Sequence, residues 1–194
     1  MSTQPKTFIT PEQYLEIERA AELKSEYYDG EMFAMAGARA DHNLIVANAI
    51  FLFAQQLRDK PCRTYPSDMR IRVGSNHRYT YPDAIVVCRE PQYLDDRRDT
   101  LLNPTVIIEI LSPSTETFDR GRKFAYYRTI GSLSDYLLIS SDRMSAELYT
   151  RQSDGRWVLT AVENPQDTLE IPSIGCRVAL ADLYEKVDLT SAAE

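Results

Sequence analysis

A glutamate in the middle of an otherwise apolar run constrains this sequence more than any other feature. Residues 106–111 read Val-Ile-Ile-Glu-Ile-Leu, and residues 84–88 read Ala-Ile-Val-Val-Cys. Nearly continuous β-branched runs of this kind are typical of strands that are buried on both faces of a sheet. A carboxylate at Glu109 is costly in such a strand unless it is paired or binds a cation.

A second carboxylate, Asp83, lies directly before the first apolar run. If the two strands pair, the carboxylates of Asp83 and Glu109 lie on one side of the sheet, where they repel each other unless a cation or a proton intervenes. Mg²⁺ is held by one or two carboxylates plus water and phosphate oxygens, lowers the pKa of a bound water and stabilises charge on a phosphate. The two acids therefore suit phosphodiester hydrolysis.

The same two residues also allow simpler interpretations. Asp83 follows Pro82, where an aspartate often caps a turn. Glu109 could lie on an edge strand or form a buried ion pair with an arginine. The residues alone do not decide between these alternatives and a metal site.

Helices and hairpins are predicted around the two apolar strands. Thr10-Pro11-Glu12-Gln13 is close to a capping box and predicts a helix that runs to about Leu23. Asp29-Gly30 between apolar residues predicts a hairpin. Further predicted elements are a helix over 40–59, a strand with one wet face over 70–73, a helix over 119–130, and strands over 136–139, 144–150 and 156–162. The fold class that follows is mixed α+β, with a mixed central sheet flanked by helices, an N-terminal helix and extra β-hairpins.

Length and composition favour one globular domain. The chain has 194 residues, of which 43% are hydrophobic and 26% are charged, so disorder of the whole chain is excluded. We expect one domain over residues 1–194, with its core at about 8–186 and a frayed tail at 187–194. The sequence has no apolar run long enough for a membrane span, and its N-terminus lacks the apolar core of a signal peptide. We therefore expect a soluble cytoplasmic protein that does not contact a membrane.

The net charge of −7 argues against a large non-specific nucleic-acid surface. Its distribution weakens that objection, because residues 63–128 carry eleven basic and nine acidic side chains. The segments on either side are both acidic. The segment that holds Asp83 and Glu109 is thus the one segment with a positive balance.

The three cysteines, Cys62, Cys88 and Cys176, are far apart and form no Cys-x-x-C pair. This pattern excludes a zinc knuckle or a dithiol redox motif, and we expect isolated reduced thiols, with Cys88 in a core strand. No Gly-rich phosphate loop and no Cys/His cluster indicates a nucleotide, flavin or haem cofactor.

Several segments taken together resemble the Uma2 family of the PD-(D/E)XK nuclease superfamily. They are Tyr81-Pro82-Asp83 with Ile85-Val86-Val87, the run 106–115, the residues Asp119, Lys123 and Tyr127, the segment 26–31 and His42. The resemblance covers roughly residues 8–186. It implies a restriction-endonuclease-like core that cleaves DNA with Mg²⁺ or Mn²⁺, and it makes Asp83 and Glu109 the metal ligands.

The sequence departs from the superfamily pattern at one position. The superfamily's lysine normally lies two residues after the second acid, where this chain has Leu111. Members of the superfamily can supply the lysine from the adjoining helix, and Lys123 matches that variation. Lys123 would then stabilise the developing charge on the phosphate. The alternative for a lysine on a helix face is simple solvation.

Four residues are secondary candidates for the site. Glu31 could reach the metal or face solvent, and His42 could hydrogen-bond a site carboxylate, touch substrate or cap its helix. Tyr127 matches the family pattern, and Asp68 is a weaker candidate. Because two DNA strands need two sites, we expect a homodimer, for which the edge of the C-terminal hairpin is one possible interface.

Two rival functions remain open on the sequence. Leu111 and the acidic net charge are compatible with a weak or inactive nuclease-fold protein that binds nucleic acid or a protein partner. A purely structural module, with Glu109 in a buried ion pair, is the third possibility.

Overall fold

Two β-sheets and a separate hairpin make up most of the fold. The computed structural model describes residues 8–74 and 77–189. The first sheet contains β3 (Arg63–Pro66), β6 (Ala84–Val87), β8 (Val106–Leu111), β9 (Asp135–Ser140), β10 (Ala146–Arg151) and β11 (Trp157–Val162). Its order is β11-β10-β9-β8-β6-β3, and the pairing is antiparallel except between β8 and β9, which are parallel. The sheet is therefore mixed, as predicted.

The second sheet carries the N-terminal hairpin. It contains β1 (Ser25–Tyr28), β2 (Glu31–Ala34), β4 (Arg70–Val73), β5 (Arg78–Thr80) and β7 (Thr100–Leu101). Its order is β2-β1-β5-β4-β7. A further antiparallel hairpin, β12 (Thr168–Ile171) and β13 (Cys176–Ala179), packs near the C-terminus.

The fold also contains helices, which flank the first sheet. The N-terminal helix precedes the first strand of the second sheet in sequence. The helices are α1 (Pro11–Ala20), α2 (Ala40–Gln56), α3 (Glu116–Phe118), α4 (Phe124–Tyr127) and α5 (Leu180–Leu183). A π-helical turn at Asp119–Lys123 joins α3 to α4 without a break. A π-turn inserts an extra residue into the helical spacing and is frequent at functional sites.

Alternate residues of the central strands β6 and β8 pack into two different cores. Ala84 and Ile108 face a cluster with Ile45, Ala49 and Phe53 of α2. Ile85 and Ile107 face a second cluster with Tyr127 of α4. Both strands are therefore buried on both faces, as their β-branched runs predict.

The local predictions near the N-terminus are largely confirmed. Thr10 and Gln13 form the predicted capping box, although α1 ends at Ala20 rather than near Leu23 because the next residue, Ala21, is extended. The hairpin turn at Asp29-Gly30 has φ of 50° and 98°, a left-handed conformation that favours glycine at the second position.

Two predictions about solvent exposure are wrong. The strand β4 has no regular wet face, because Arg70 is buried and its guanidinium bonds Thr100 and Tyr81. The predicted frayed tail begins too early, because Val187 and Leu189 pack against the α2 core. Residues 190–194 of that tail lie outside the described residues.

The prediction of three reduced thiols is also wrong. Cys62 and Cys88 form a disulfide, whereas Cys176 is free, as predicted, and is buried. Cys62 directly precedes β3 and Cys88 directly follows β6. The antiparallel register that opposes Arg63 to Val87 brings the two thiols together across 26 residues of sequence, a proximity that spacing alone could not show.

Among the described residues, no helix is long and apolar enough to cross a membrane.

Candidate active site

The two predicted acids come from paired strands: Asp83 directly precedes β6, and Glu109 lies within β8. Antiparallel pairing opposes Ala84 of β6 to Ile108 of β8, and one further step of the same register opposes Asp83 to Glu109. Asp83 Oδ2 accepts a hydrogen bond of 2.7 Å from the backbone N–H of Ile110. The side chain of Asp83 thus accepts the hydrogen bond of a β8 backbone N–H just before β6 begins.

Lys123 lies directly against Glu109. Its Nζ is 2.8 Å from Glu109 Oε1 and 3.5 Å from a carboxylate oxygen of both Glu26 and Asp119. The side chains of Lys123 and Glu109 are only 8% and 5% exposed. We call these four residues the Lys123 cluster. Glu109 therefore lies on a central strand and pairs with a lysine, rather than with an arginine or at a sheet edge.

The π-helical turn determines which residues of the helix reach the cluster. Asp119 and Lys123 are the first and last residues of the turn, both are buried, and their side chains meet. The chain reverses between β8 and the helix through 112–115, where the backbone N–H of Glu116 bonds the carbonyl of Ser112. Lys123 is thereby brought back onto the sheet beside Glu109.

Tyr127, one helical turn after Lys123, also contacts Glu109 and positions its carboxyl group. Its hydroxyl donates to Glu109 Oε1 at 2.7 Å and lies 3.0 Å from Thr80 Oγ1. Tyr127 is fully buried, so this contact holds the carboxylate in a dry environment.

The Lys123 cluster contains more negative than positive charge. Burial raises the pKa of Glu109 to about 8; the ammonium of Lys123 opposes this shift, and Asp119, Asp83 and Glu26 add to it. Burial alone would lower the pKa of Lys123, but the surrounding acids, Glu109 above all, raise it well above its ordinary value. Lys123 therefore stays protonated, and its one ammonium lies among three acidic side chains, with the ionisation of Glu109 opposed by burial.

His42 contacts the other acid of the pair. Its Nε2 lies 3.0 Å from Asp83 Oδ1, near the start of α2. Because a carboxylate only accepts hydrogen bonds, Nε2 carries the proton in this contact. Of the three sequence-based interpretations of His42, the structure shows the hydrogen bond to a site carboxylate.

An open cleft of about 600 Å³ lies above the cluster. Glu26, Asp119 and Lys123 form part of its floor, so the buried charges are reached from solvent through it. Glu31, one of the secondary candidates, lies on the lining of this cleft. The cleft gives a substrate access to Lys123.

Asp68 is not brought to the site. Its side chain is 85% exposed and pairs with Lys24 at 2.9 Å. Two site residues, Glu26 and Asp119, were not named as candidates. Glu26 is part of the family-like segment beside the Asp-Gly turn, and Asp119 is four residues before Lys123, the spacing at which helical side chains meet. Both signals were present in the sequence.

The arrangement is compatible with a divalent cation held by two carboxylates. Among the described residues, no group of three or more His, Cys, Asp or Glu side chains is arranged to hold a metal. A magnesium ion needs one or two carboxylates, with waters and phosphate oxygens completing its shell. Asp83 and Glu109 meet that smaller requirement, and the excess of carboxylates in the Lys123 cluster favours a cation.

Comparisons with known proteins identify the family of this chain. The family model for Uma2, described as a putative restriction endonuclease, matches residues 11–181. An uncharacterized protein of Synechocystis sp. is 37% identical over 178 residues, covering 91% of each chain. A second uncharacterized protein of the same organism is 36% identical over 162 residues, covering 84% of this chain and 92% of the relative.

A solved structure shows the same fold. It is the crystal structure of a putative nuclease belonging to DUF820 from Anabaena variabilis. The superposition has a TM-score of 0.75 at 19% identity and covers 91% of this chain and 98% of the other. The predicted restriction-endonuclease-like core, with its mixed sheet and flanking helices, is thereby confirmed.

Proposed function

The chain belongs to the Uma2 family, and from this premise we propose that it is a Mg²⁺- or Mn²⁺-dependent endonuclease that hydrolyses the phosphodiester bonds of DNA. Asp83 and Glu109 would hold the metal ion. The superfamily pattern usually has a lysine at the position of Leu111, and Lys123 would take over the role of that lysine.

The contact between Lys123 and Glu109 carries this proposal. A lysine fourteen residues beyond the acid in sequence lies 2.8 Å from its carboxylate. The pair is buried, so the charge–charge interaction is weakly screened and the position of the ammonium is well defined. This is the contact that a lysine supplied from the helix requires.

The roles of the side chains follow from their contacts. A bound divalent ion supplies charge stabilisation at the phosphate and lowers the pKa of the attacking water. Lys123 donates a hydrogen bond to a phosphate oxygen on which negative charge develops. His42 and Tyr127 hold the carboxylates of Asp83 and Glu109 in place, as partners of metal ligands commonly do.

The test is cleavage of supercoiled plasmid with Mg²⁺ or Mn²⁺. We expect Asp83→Ala and Lys123→Ala each to lower the rate by at least about 100-fold, the usual cost of losing one charge-stabilising group. Asp68→Ala is the matched control, because it removes an exposed carboxylate outside the site and should cleave like the parent. Full activity of Asp83→Ala would refute the assignment.

A second candidate function is supported by the same contact. The ammonium of Lys123 already lies against Glu109, and Leu111 occupies the usual lysine position. A nuclease-fold protein that binds nucleic acid or a protein partner without cleaving would keep this geometry. Tight DNA binding with no turnover at any concentration of either metal would favour this candidate.

For the assembly, we propose a homodimer that uses the edge of the first sheet. β11 is its terminal strand, and Val158 and Leu159 on it are exposed large apolar side chains. An exposed edge strand with apolar side chains tends to pair with another chain. Sedimentation analysis of the parent and of Val158→Lys tests this, since the variant should be monomeric if the edge forms the interface.

A further inference from the structure

The walls of the cleft above Lys123 are formed by four aromatic side chains, and we name this site the aromatic cleft. Tyr28 lies at its centre, with ring centroids 5.8 Å from Phe33, 5.5 Å from Phe118 and 5.7 Å from Tyr126. All four side chains line the cavity. Its volume of about 600 Å³ lies within the range of small-molecule sites.

Phe33 is the most accessible of these rings. It lies on β2, the terminal strand of the second sheet, and is 49% exposed. Exposing a phenylalanine ring beside a charged cluster contributes nothing to the core. A ring of this kind is well placed to stack on a flat ligand.

The charges of the cleft exclude a phosphate from most of its surface. Its lining includes the acids Glu26, Asp29, Glu31 and Asp119, against the bases Arg122 and Lys123. Carboxylates repel phosphate oxygens, but they accept hydrogen bonds from the exocyclic amino group of a base. The part of an occupant that lies among the rings is therefore flat, uncharged and equipped with hydrogen-bond donors.

The cleft also lies beside the proposed reaction centre. Tyr28 donates a hydrogen bond of 2.8 Å to Glu26 Oε2, and Glu26 contacts Lys123. A nucleotide whose phosphate lies at Lys123 would place its base among the aromatic rings. In an intact duplex that base is stacked and paired, so it must be unpaired or turned out of the helix to enter.

We infer that the aromatic cleft binds an unpaired nucleobase with an exocyclic amino group, next to the phosphate held at Lys123. The substrate class that follows is single-stranded or locally unpaired nucleic acid rather than regular duplex. This inference rests on the proposed function for the position of the phosphate, but stacking on the cleft is measurable without cleavage.

The test is fluorescence anisotropy with labelled oligo(dC), oligo(dT) and a duplex of the same length, with Ca²⁺ in place of Mg²⁺. Base–aromatic stacking predicts that Phe33→Ala binds oligo(dC) about tenfold more weakly than the parent. Phe33→Tyr keeps the ring and should bind like the parent. Phe51→Ala is the matched control, since it removes an even more accessible phenylalanine, 64% exposed on α2, that does not line the cleft.

Each outcome supports or overturns the inference. Weaker binding by Phe33→Ala alone, with oligo(dC) preferred over oligo(dT) and over duplex, supports it. Equal binding of oligo(dC) and oligo(dT) overturns the hydrogen-bonding part. No binding of single strands by the parent, or equal binding by Phe33→Ala, overturns the inference as a whole. If plasmid cleavage by the parent persists in that case, the proposed nuclease function stands without it.

Discussion

Two groups of buried charge in this protein use similar residues and are built in opposite ways. The first, which we call the Arg70 network, consists of Glu18, Arg19, Arg70, Tyr81, Asp99 and Thr100. Arg70 donates to Thr100 at 2.9 Å and to Tyr81 at 3.0 Å, and its Nη2 lies 3.2 Å from Asp99. In the Lys123 cluster, by contrast, one ammonium lies among three acidic side chains.

The two acids at the centres of these groups show the difference. Burial alone would raise the pKa of Asp99, but hydrogen bonds from Arg19 and Thr100 and the charge of Arg70 outweigh it and hold the pKa at about 2. Burial raises the pKa of Glu109 to about 8 despite the neighbouring Lys123. Asp99 is thus a matched ion-pair partner, whereas burial and the neighbouring acids oppose the ionisation of Glu109.

We interpret this contrast as one between a structural group and the proposed active site. The Arg70 network joins α1 to the second sheet and stabilises the contact, because both of its arginines meet carboxylates. The Lys123 cluster opens into a cleft and keeps an excess of acid. Uncompensated, strongly shifted groups in a cleft are characteristic of sites that bind a cation or a substrate.

The largest stability effect is expected for Arg70→Met. Removing the buried guanidinium takes a hydrogen-bond donor from Thr100 and from Tyr81, while Asp99 keeps its bonds from Arg19, and should lower the free energy of unfolding by about 1–3 kcal/mol. Urea denaturation measures the change. Arg177→Met is the matched control, because its exposed pair with Glu170 contributes at most about 1 kcal/mol. Equal stability of the two variants would remove the distinction between the groups.

The opposite sign is expected for Glu109→Gln. The amide oxygen can still accept the hydrogen bonds of Lys123 and Tyr127, and the substitution removes a buried group whose ionisation the fold opposes. The metal-free protein should gain about 1 kcal/mol in free energy of unfolding, as often happens when a functional group is replaced. A loss of several kcal/mol in the same denaturation experiment would mean that Glu109 is structural.

Added Mg²⁺ should stabilise the parent and not this variant. A ligand that binds only the folded state adds about 1.4 kcal/mol at ten times its dissociation constant, which is seen as a rise in Tm. Asp99→Asn should show the same rise as the parent, since its carboxylate lies in the Arg70 network. A rise in Tm that survives in Glu109→Gln would place the metal elsewhere.

The two acids should also differ in how they make stability depend on pH. Asp99, with its lowered pKa, contributes stability that is present above about pH 4 and is lost as the pH falls towards 2. Glu109, with its raised pKa, favours the protonated folded state, so its contribution is present below about pH 4.5 and is lost as the pH rises to about 8. The free energy of unfolding should therefore be measured against pH for the parent and both variants. Asp99→Asn should lose the rise in stability that the parent shows from about pH 2 to 4, and Glu109→Gln should lose the fall that the parent shows from about pH 4.5 to 8. If both variants lose the same slope, the two acids do not differ as described.

The strands of the site were predictable because continuous β-branched residues indicate burial on both faces of a sheet. The runs at 84–88 and 106–111 predicted the two central strands. Asp83 and Glu109 became candidates because a charge in or beside an apolar strand is costly. The Asp-Gly hairpin and the α1 capping box were predictable for the same reason, since each depends on residues only a few positions apart.

Features that depend on long-range register were not predictable. The disulfide of Cys62 and Cys88 requires the pairing of β3 with β6, and the burial of Arg70 requires the arrival of Asp99 from a distant segment. The Lys123 contact lies between these cases. Lys123 was a candidate because of the family resemblance. The position of its side chain depends on a π-helical turn that no local sequence pattern predicted.

Plasmid cleavage by Asp99→Asn and Glu109→Gln, assayed side by side with Mg²⁺, tests the central claim most directly. Both substitutions replace a carboxylate by its amide, one in the Arg70 network and one in the Lys123 cluster. The account predicts parental cleavage by folded Asp99→Asn and a loss of at least about 100-fold in Glu109→Gln. Parental cleavage by Glu109→Gln would contradict the assignment of the Lys123 cluster as the active site.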